Sequence, residues 1–274
     1  MEWRDVGILL NTREHGESSA ILDVLTSAHG RHAGIVRGAR GSKLSAAMQP
    51  GAQLSVEWRA RMEDHLGNYR IEPIKSRASM LMEDRTGLAA FNAMSALILQ
   101  FVPEREADYD FYDATHELVE DLCTRPRGWP GSYAFWELVF LSAVGFGLDL
   151  DRCAATGTRR DLAYISPRTG RAVSRETGGP WADKLLPLAP FLTGDGTVTM
   201  AGVRSALYTS GWFLENRVCP AMERESLPEA RDRLVRLFER YELAPRPKKA
   251  DGNDDRRESW YRRIGVVRQV PHRA

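Results

Sequence analysis

The sequence predicts an α+β multidomain chain: an N-terminal OB-type β-barrel, a helical domain in two pieces, and a small zinc-finger-like insertion lacking most Cys ligands. Three observations carry this. Leu54, Val56 and Trp58 alternate with Ser55, Glu57 and Arg59, the period of two expected of a half-buried strand. From about residue 84 the spacing turns helical, with Leu88, Phe91, Ser95, Ile98 and Val102 on one stripe. Residues 149–180 then break that pattern with Gly, Pro and scattered Arg.

Taken in order, residues 6–10, 21–26 and 34–37 read as short strands rich in branched side chains, 54–59 as a fourth, and 68–72 as a fifth that stops at Pro73. Turn signals at His15-Gly16, His29-Gly30, Pro50-Gly51 and Leu66-Gly67 separate them. Five short strands within residues 1–80 suit a small barrel, and the OB-fold is the common nucleic-acid binder of that size. An SH3-like barrel or a split sheet satisfies the same strand count. The first helix ends at Pro103, and a second, carrying Tyr109, Tyr112, Val119 and Leu122, stops before Pro126. Pro130 begins a third, with Tyr133, Trp136, Phe140 and Val144 inward and Gly145 and Gly147 at its end. In the insertion, 162–165 and 171–174 form a hairpin. Helices resume near 199–214, with Thr199 as N-cap, and after the capping box Ser226-Leu-Pro-Glu229. Ala230, Leu234, Leu237, Phe238 and Tyr241 mark the buried face of the last helix. The expected organisation is therefore 1–80 barrel, 81–148 and 181–244 helical domain, 149–180 insertion, and 245–274 a mobile tail in which Arg256, Arg257, Arg262, Arg263, Arg268 and Arg273 accompany Trp260 and Tyr261.

Composition excludes several classes. The net charge is +1 over 274 residues, so any polyanion site is a local patch. No run of eighteen apolar residues exists to span a membrane, and the first residues lack the basic-then-apolar order of a signal peptide. Three well-spaced cysteines make no disulfide framework, which points to a reducing cytoplasm. There is no P-loop, nucleophile elbow, dinucleotide-binding Gly motif or HExxH, so no catalytic residue and no cofactor is expected. The acidic clusters 108–113 and 149–151 read as helix-terminal or solvated charge. Cys153-x₂-Thr156 and Ser166-x₂-Thr169 have the spacing of zinc-ribbon knuckles. Neutral hydroxyls do not replace thiolates, so no metal is expected there.

The feature that remains is basic. Residues 29–43 hold four Lys/Arg, two His and no carboxylate, on a short β-compatible run that opens into a Gly-rich loop. Gly lets a ligand approach the backbone, and guanidinium groups fit phosphate oxygens. The expected nucleic-acid-binding residues are Arg31, His32, Arg37, Arg40 and Lys43, joined by Arg13 and His15 on the first turn. Arg31 and Arg37 share a face if the strand is regular. Ile35 shares it too, so the spacing leaves open which face points inward.

The segments Glu2-Trp-Arg-Asp-Val-Gly-Ile-Leu-Leu, His15-Gly-Glu-Ser-Ser-Ala-Ile-Leu and Thr26-Ser-Ala-His-Gly-Arg-His-Ala-Gly-Ile-Val-Arg-Gly-Ala-Arg resemble the N-terminal domain of the bacterial recombination mediator RecO. The likeness continues through Gln49-Pro-Gly51, the Cys153 knuckle and the Tyr164–Ser174 segment, covering about 1–245. It implies an OB-fold, a helical domain and a zinc-finger-like insertion. It also implies binding of single- and double-stranded DNA, annealing, and loading of recombinase with RecR onto strands coated by single-stranded-DNA-binding protein (SSB). That protein's C-terminal tail is then expected on the helical domain, with Arg125 and Arg127 as candidate contacts. The implied location is cytoplasmic and nucleoid-associated. Some relatives carry four cysteines where this chain has one. An RNA- or tRNA-binding OB protein is the alternative.

Overall fold

The computed structural model describes residues 1–39, 41–62, 64–126, 128–243 and Trp260, excepting the side chains of Ser42, Lys43 and Ala46. Contacts divide the chain into two compact units, Met1–Arg125 with Pro228–Leu234 and Pro126–Leu227 with Val235–Ala274.

The first unit is built on a closed barrel of β1 (Glu2–His15), β2 (Ser19–Thr26), β3 (Gly30–Val36), β5 (Asn68–Lys75) and β4 (Gln53–Arg59), in that order round the wall. Every neighbouring pair is antiparallel except β3 with β5. A closed five-stranded barrel of this kind leaves no free edge, as in an OB-fold. Leu9, Leu22, Val24, Val36, Leu54, Val56, Trp58, Tyr69 and Ile71 fill the interior. Trp58 donates its indole N–H to the Leu66 carbonyl at 3.0 Å, so the one polar atom of a core ring is satisfied.

Two details differ from the expectation. β5 runs through Pro73 to Lys75 instead of stopping; Pro73 pairs with Leu54 beside a register shift, where a missing N–H is tolerated. The loop after β3 carries a short helix, α1 (Ser42–Ala47), in a stretch too short and too small-residued to show a period. α2 (Ala78–Met82) was equally silent. α3 (Arg85–Phe101) starts at Asp84, whose carboxylate accepts from the Thr86 and Gly87 amides, and α4 (Tyr109–Thr124) starts at Asp108, which accepts from Phe111. Tyr109, on the first turn of α4, is 68% exposed; Phe111, one turn before the buried Thr115 and two before the buried Leu118, faces the core.

A buried side chain joins barrel to helices in this unit. Arg77 is fully buried, and its guanidinium donates to the Gly51 carbonyl (3.1 Å), to Gln53 Oε1 on β4 (3.1 Å) and to Glu120 Oε1 on α4 (3.0 Å from Nε). His116 Nε2 lies 3.2 Å from the same group and Lys75 Nζ meets Glu120 Oε2 at 2.6 Å. Burial pushes the Glu120 carboxyl up, but the bonds from Lys75 and Arg77 outweigh it and hold the group below its ordinary range. Burial and then the Arg77 charge lower His116, which therefore accepts as a neutral ring.

The second unit packs α5 (Trp129–Ala143) against α7 (Met200–Phe213). α5 is buried nearly all round, as a central helix must be, with Glu137 among its buried residues and accepting from Ser210 Oγ, and Trp129 Nε1 donates to Tyr241 Oη at 3.1 Å. Between them in sequence lie β6 (Leu162–Ile165) and β7 (Ala172–Ser174), the expected hairpin, then α6 (Arg175–Gly178), and the two-residue β8 (Leu186–Pro187) pairs with β6 to complete a small sheet. Thr199 caps α7, its Oγ1 accepting from Gly202 at 3.1 Å. A π-helical turn (Leu214–Val218) and α8 (Cys219–Ala221) follow, and α9 (Glu229–Glu239) is divided between the two units after Leu234. The expected tail 245–274 lies outside the described residues except for Trp260, which is buried and stacked on Phe135 with centroids 6.3 Å apart.

Removing one partner of a buried, hydrogen-bonded ion pair leaves the other uncompensated. Arg77→Met is therefore expected to cost about 3–5 kcal/mol, and Lys75→Met, at a more exposed site, less than about 1 kcal/mol. Urea unfolding midpoints measure both, and equal costs would contradict the assignment.

Candidate nucleic-acid interface

The basic residues of the N-terminal sequence separate into two groups once the strands are paired. In β3, His32, Gly34 and Val36 face the interior and Arg31, Ala33 and Ile35 face out, which settles the parity question; Arg37 lies just beyond the strand. The tips of β1, β2 and β3 meet at one end of the barrel. Arg13 pairs with Ile21 and His15 with Ser19, while Ala20 pairs with Val36. The Ala39 amide donates to the Ser18 carbonyl at 2.7 Å, tying the loop after β3 to the β1–β2 turn. Thr12 Oγ1 donates to the Met48 carbonyl at 3.0 Å, which places the end of α1 beside β1. Arg13, His15 and Arg37 are thereby gathered on one rim with the backbone of Lys43. Arg40 and the Lys43 side chain lie outside the described residues. Arg37 and His15 are exposed and have no ion pair among the described residues, whereas Arg13, 56% exposed, leans on the buried Asp23 at 3.3 Å. Gly38 adopts φ +69° with open space around it, as a backbone presented to a ligand requires. Along the rim's sequence, four cations stand against two carboxylates, Glu14 and Glu17.

Arg31 and His32 do different work. Arg31 Nε donates to the Val102 carbonyl at 2.8 Å and its Nη1 to Glu104 Oε1 at 3.2 Å, leaving the side chain 14% exposed. Its own carbonyl accepts from Arg105 N at 2.8 Å. Gly30 permits this approach, because a Cβ there would stand 2.0 Å from the Glu106 carbonyl oxygen. Arg31 thus clamps β3 to the segment after α3. His32 is inside the barrel, edge-on to Trp58 at 5.0 Å, with Nδ1 donating to the Ala33 carbonyl at 2.9 Å and the Tyr69 hydroxyl 3.2 Å away. Burial is the main cause that lowers its pKa, to about 4. It is a neutral core group, not a phosphate ligand. The spacing that suggested one patch contained no sign that Arg31 had an acceptor seventy residues away.

At the opposite end, Trp3 stacks on His29 at 4.0 Å, and Asp5 binds His29 Nδ1 (3.1 Å) and the Ala28 amide (2.9 Å). Burial pushes the Asp5 carboxyl up, but these bonds and those from Val6 and Ser27 outweigh it and lower its pKa. Arg125 closes α4 in the left-handed region at φ +52°, and its head binds the Met80 carbonyl (3.0 Å) and Glu83 (2.9 Å). It serves as a cap with its cation already answered. Arg127 lies outside the described residues.

In the insertion, the knuckle turn around Cys153 persists: its carbonyl accepts from Gly157 at 2.9 Å. The residues that meet the thiol differ from the expected pair. Ser166 Oγ accepts from the Thr169 amide at 3.4 Å within the β6–β7 turn, whereas Cys153 Sγ accepts from the Ser174 amide at 3.3 Å and Ser174 Oγ meets Thr177 Oγ1 at 3.0 Å. Ser174-x₂-Thr177 is therefore the second knuckle. Burial pushes the Cys153 thiol up, but bonds from Thr156 and Ser174 outweigh it and bring it to about 6. One sulfur with three hydroxyls does not fit Zn²⁺, and hydrogen bonds hold the turn together. Among the described residues no three His, Cys, Asp or Glu converge.

The family described as recombination protein O, N terminal, matches residues 1–77, and that described as recombination protein O, C terminal, matches 82–224. The DNA repair protein RecO of Cereibacter sphaeroides is 49% identical over 240 residues, 88% of this chain and 99% of its own. This chain belongs to the RecO family. The RecO proteins of Roseobacter denitrificans (49% identical, 88% of this chain, 99% of theirs) and a Ruegeria species (48%, 86% and 97%) are similarly related. Membership of a DNA repair family gives the chain a role in DNA repair and recombination, with DNA as its expected partner. Among the described residues no helix is long and apolar enough to cross a membrane.

His32 gives a pH prediction. Its folded pKa is lowered, so its contribution to stability is complete above the unfolded value near 6.5. That contribution is lost as pH falls from there towards 4, by about 3 kcal/mol in all. Stability measured by urea unfolding between pH 7 and 4 is expected to fall less steeply in His32→Gln than in wild type; parallel curves would contradict the neutral core assignment.

Proposed function

We propose that the chain is a non-enzymatic recombination mediator that binds single- and double-stranded DNA through the β1–β2–β3 rim, anneals complementary strands, and with RecR helps load recombinase onto SSB-coated DNA. The observation that carries the reading is the gathering of Arg13, His15 and Arg37 at one open end of a closed barrel, in a chain of the RecO family. Arg40 and Lys43, three and six residues beyond Arg37 in sequence, are assigned to the same surface. Arg31 and His32 enter as supports of the strand that carries it.

The chemistry is sequence-independent. Two strands approaching each other carry like charges, and a row of cations on one rim screens that repulsion while the bases find register. No covalent step is required. Phosphate contacts of this kind release counterions, so affinity falls with salt, by a slope of about 0.9 per contact on duplex and 0.7 on single strands. The SSB tail, an acidic and apolar peptide, is assigned to the helical part of the chain; Arg125 is a poor contact for its carboxylates because Glu83 already holds it.

The test is annealing of complementary oligonucleotides across a salt series. Arg37→Ala/Arg40→Ala/Lys43→Ala is expected to lose annealing and to flatten the salt slope for a single strand by about 2, with unfolding unchanged. Arg31→Ala is expected to lower the unfolding midpoint while retaining most of the salt slope. Wild-type annealing by the triple variant would remove DNA from this rim. Failure of wild type to bind or anneal would overturn the mediator reading itself.

A further inference from the structure

The outer face of α7 carries a pattern that the barrel rim lacks. Arg204, Tyr208 and Trp212 stand four residues apart, so they form one row along the helix. Tyr208 is 62% exposed, an unusual state for a large aromatic ring with no structural duty, while Val203, Ala206 and Leu207 on the other face are buried. Trp212 is half-buried and presents part of its ring. Arg204 is exposed, with one guanidinium nitrogen donating to the Phe238 carbonyl at 3.1 Å.

The helix then changes its winding. Leu214–Val218 is a π-helical turn, in which residue i+5 returns above residue i. Arg217 is the fifth residue after Trp212, and its guanidinium lies over the Trp212 ring, 6.0 Å from the centroid. In an unbroken α-helix Asn216 would hold that position. The same guanidinium donates to the Pro167 carbonyl at 3.1 Å, at the tip of the β6–β7 hairpin, where the exposed Arg168 follows. These acceptors are neutral carbonyls, and neither Arg217 nor Arg204 has an ion pair among the described residues. Glu215 is the one carboxylate exposed on the turn.

We propose that this row is a second nucleic-acid contact, specific for single strands: a base stacks on Tyr208, and Arg204, Arg168 and Arg217, which Trp212 supports, hold the adjoining phosphates. An exposed aromatic face flanked by cations provides what an unpaired strand needs, a π-surface for a base and positive charge for the backbone. A duplex keeps its bases stacked on each other and gains only the cations. The proposal rests on the reading that the chain binds DNA but uses residues separate from the rim, in the other compact unit.

The experiment measures the affinity of the full chain for a fluorescent oligothymidine and for a duplex of equal length. It compares wild type, Tyr208→Ala, Tyr208→Phe and the Arg37→Ala/Arg40→Ala/Lys43→Ala variant. Tyr208 is exposed, so both of its variants are expected to fold. The expected result is a loss of about tenfold for the single strand in Tyr208→Ala, the weight of one base on one ring, with Tyr208→Phe like wild type and duplex affinity unchanged. The rim variant is expected to lose both. Equal single-strand affinity in Tyr208→Ala and wild type, or parallel loss for duplex, would overturn the α7 contact and leave the rim standing. Absence of wild-type binding to either probe would overturn both.

Discussion

A fully buried guanidinium fixes the geometry of the N-terminal unit. Arg77 sits where β4, the turn at Gly51 and α4 meet, and it is charged, so it demands acceptors from every side. Glu120 supplies the counter-charge, two neutral oxygens and a neutral His116 complete the shell, and Lys75 balances the remaining lone pairs of Glu120. An apolar contact in that place would tolerate small rotations of the helices over the barrel; a five-donor fork with fixed acceptors does not. The consequence for function is which barrel end stays open. Arg31 makes a second attachment at Val102 and Glu104, near the start of β3, so the far end of β3 and its loop are left exposed.

Charge in this protein is therefore divided by role more than by amount. Arg77, Arg31 and Arg125 are cations spent on carbonyls and carboxylates of the chain itself. Arg37 has none among the described residues, and Arg217 is held by neutral groups that leave its charge intact. The near-neutral total hides this, because paired cations cancel in the sum while free ones act at their own site. In the insertion the same economy replaces metal bonds: hydroxyls and amides around Cys153 hold a turn that thiolates would otherwise bind to zinc.

Much of the fold is legible in the chain. The alternation at 54–59, the helical stripe at 88–102, the N-cap at Thr199 and the 162–165/172–174 hairpin all rest on local periodicity or on a turn residue, and local signals survive without knowledge of partners. What was not legible depended on distance. Arg31 and Arg37 are the same residue type six positions apart, and only the carbonyl at Val102 separates a clamp from a free cation. Arg77 follows a strand in a polar stretch with no period to mark it. Ser166-x₂-Thr169 and Ser174-x₂-Thr177 have identical spacing, and the strand register decides which meets Cys153. The row Arg204–Tyr208–Trp212 is readable as spacing, but its extension to Arg217 needs the π-turn, which no residue type announces.

Amide hydrogen exchange of the full chain, with and without an oligonucleotide, tests the central claim that the free rim rather than the clamped base of β3 meets DNA. New protection is expected at 13–19 and 37–43, with 27–32 and 102–106 unchanged because they are already bonded within the unit. Protection confined to 27–32 and 102–106 would contradict it, and would place DNA where Arg31 is now held.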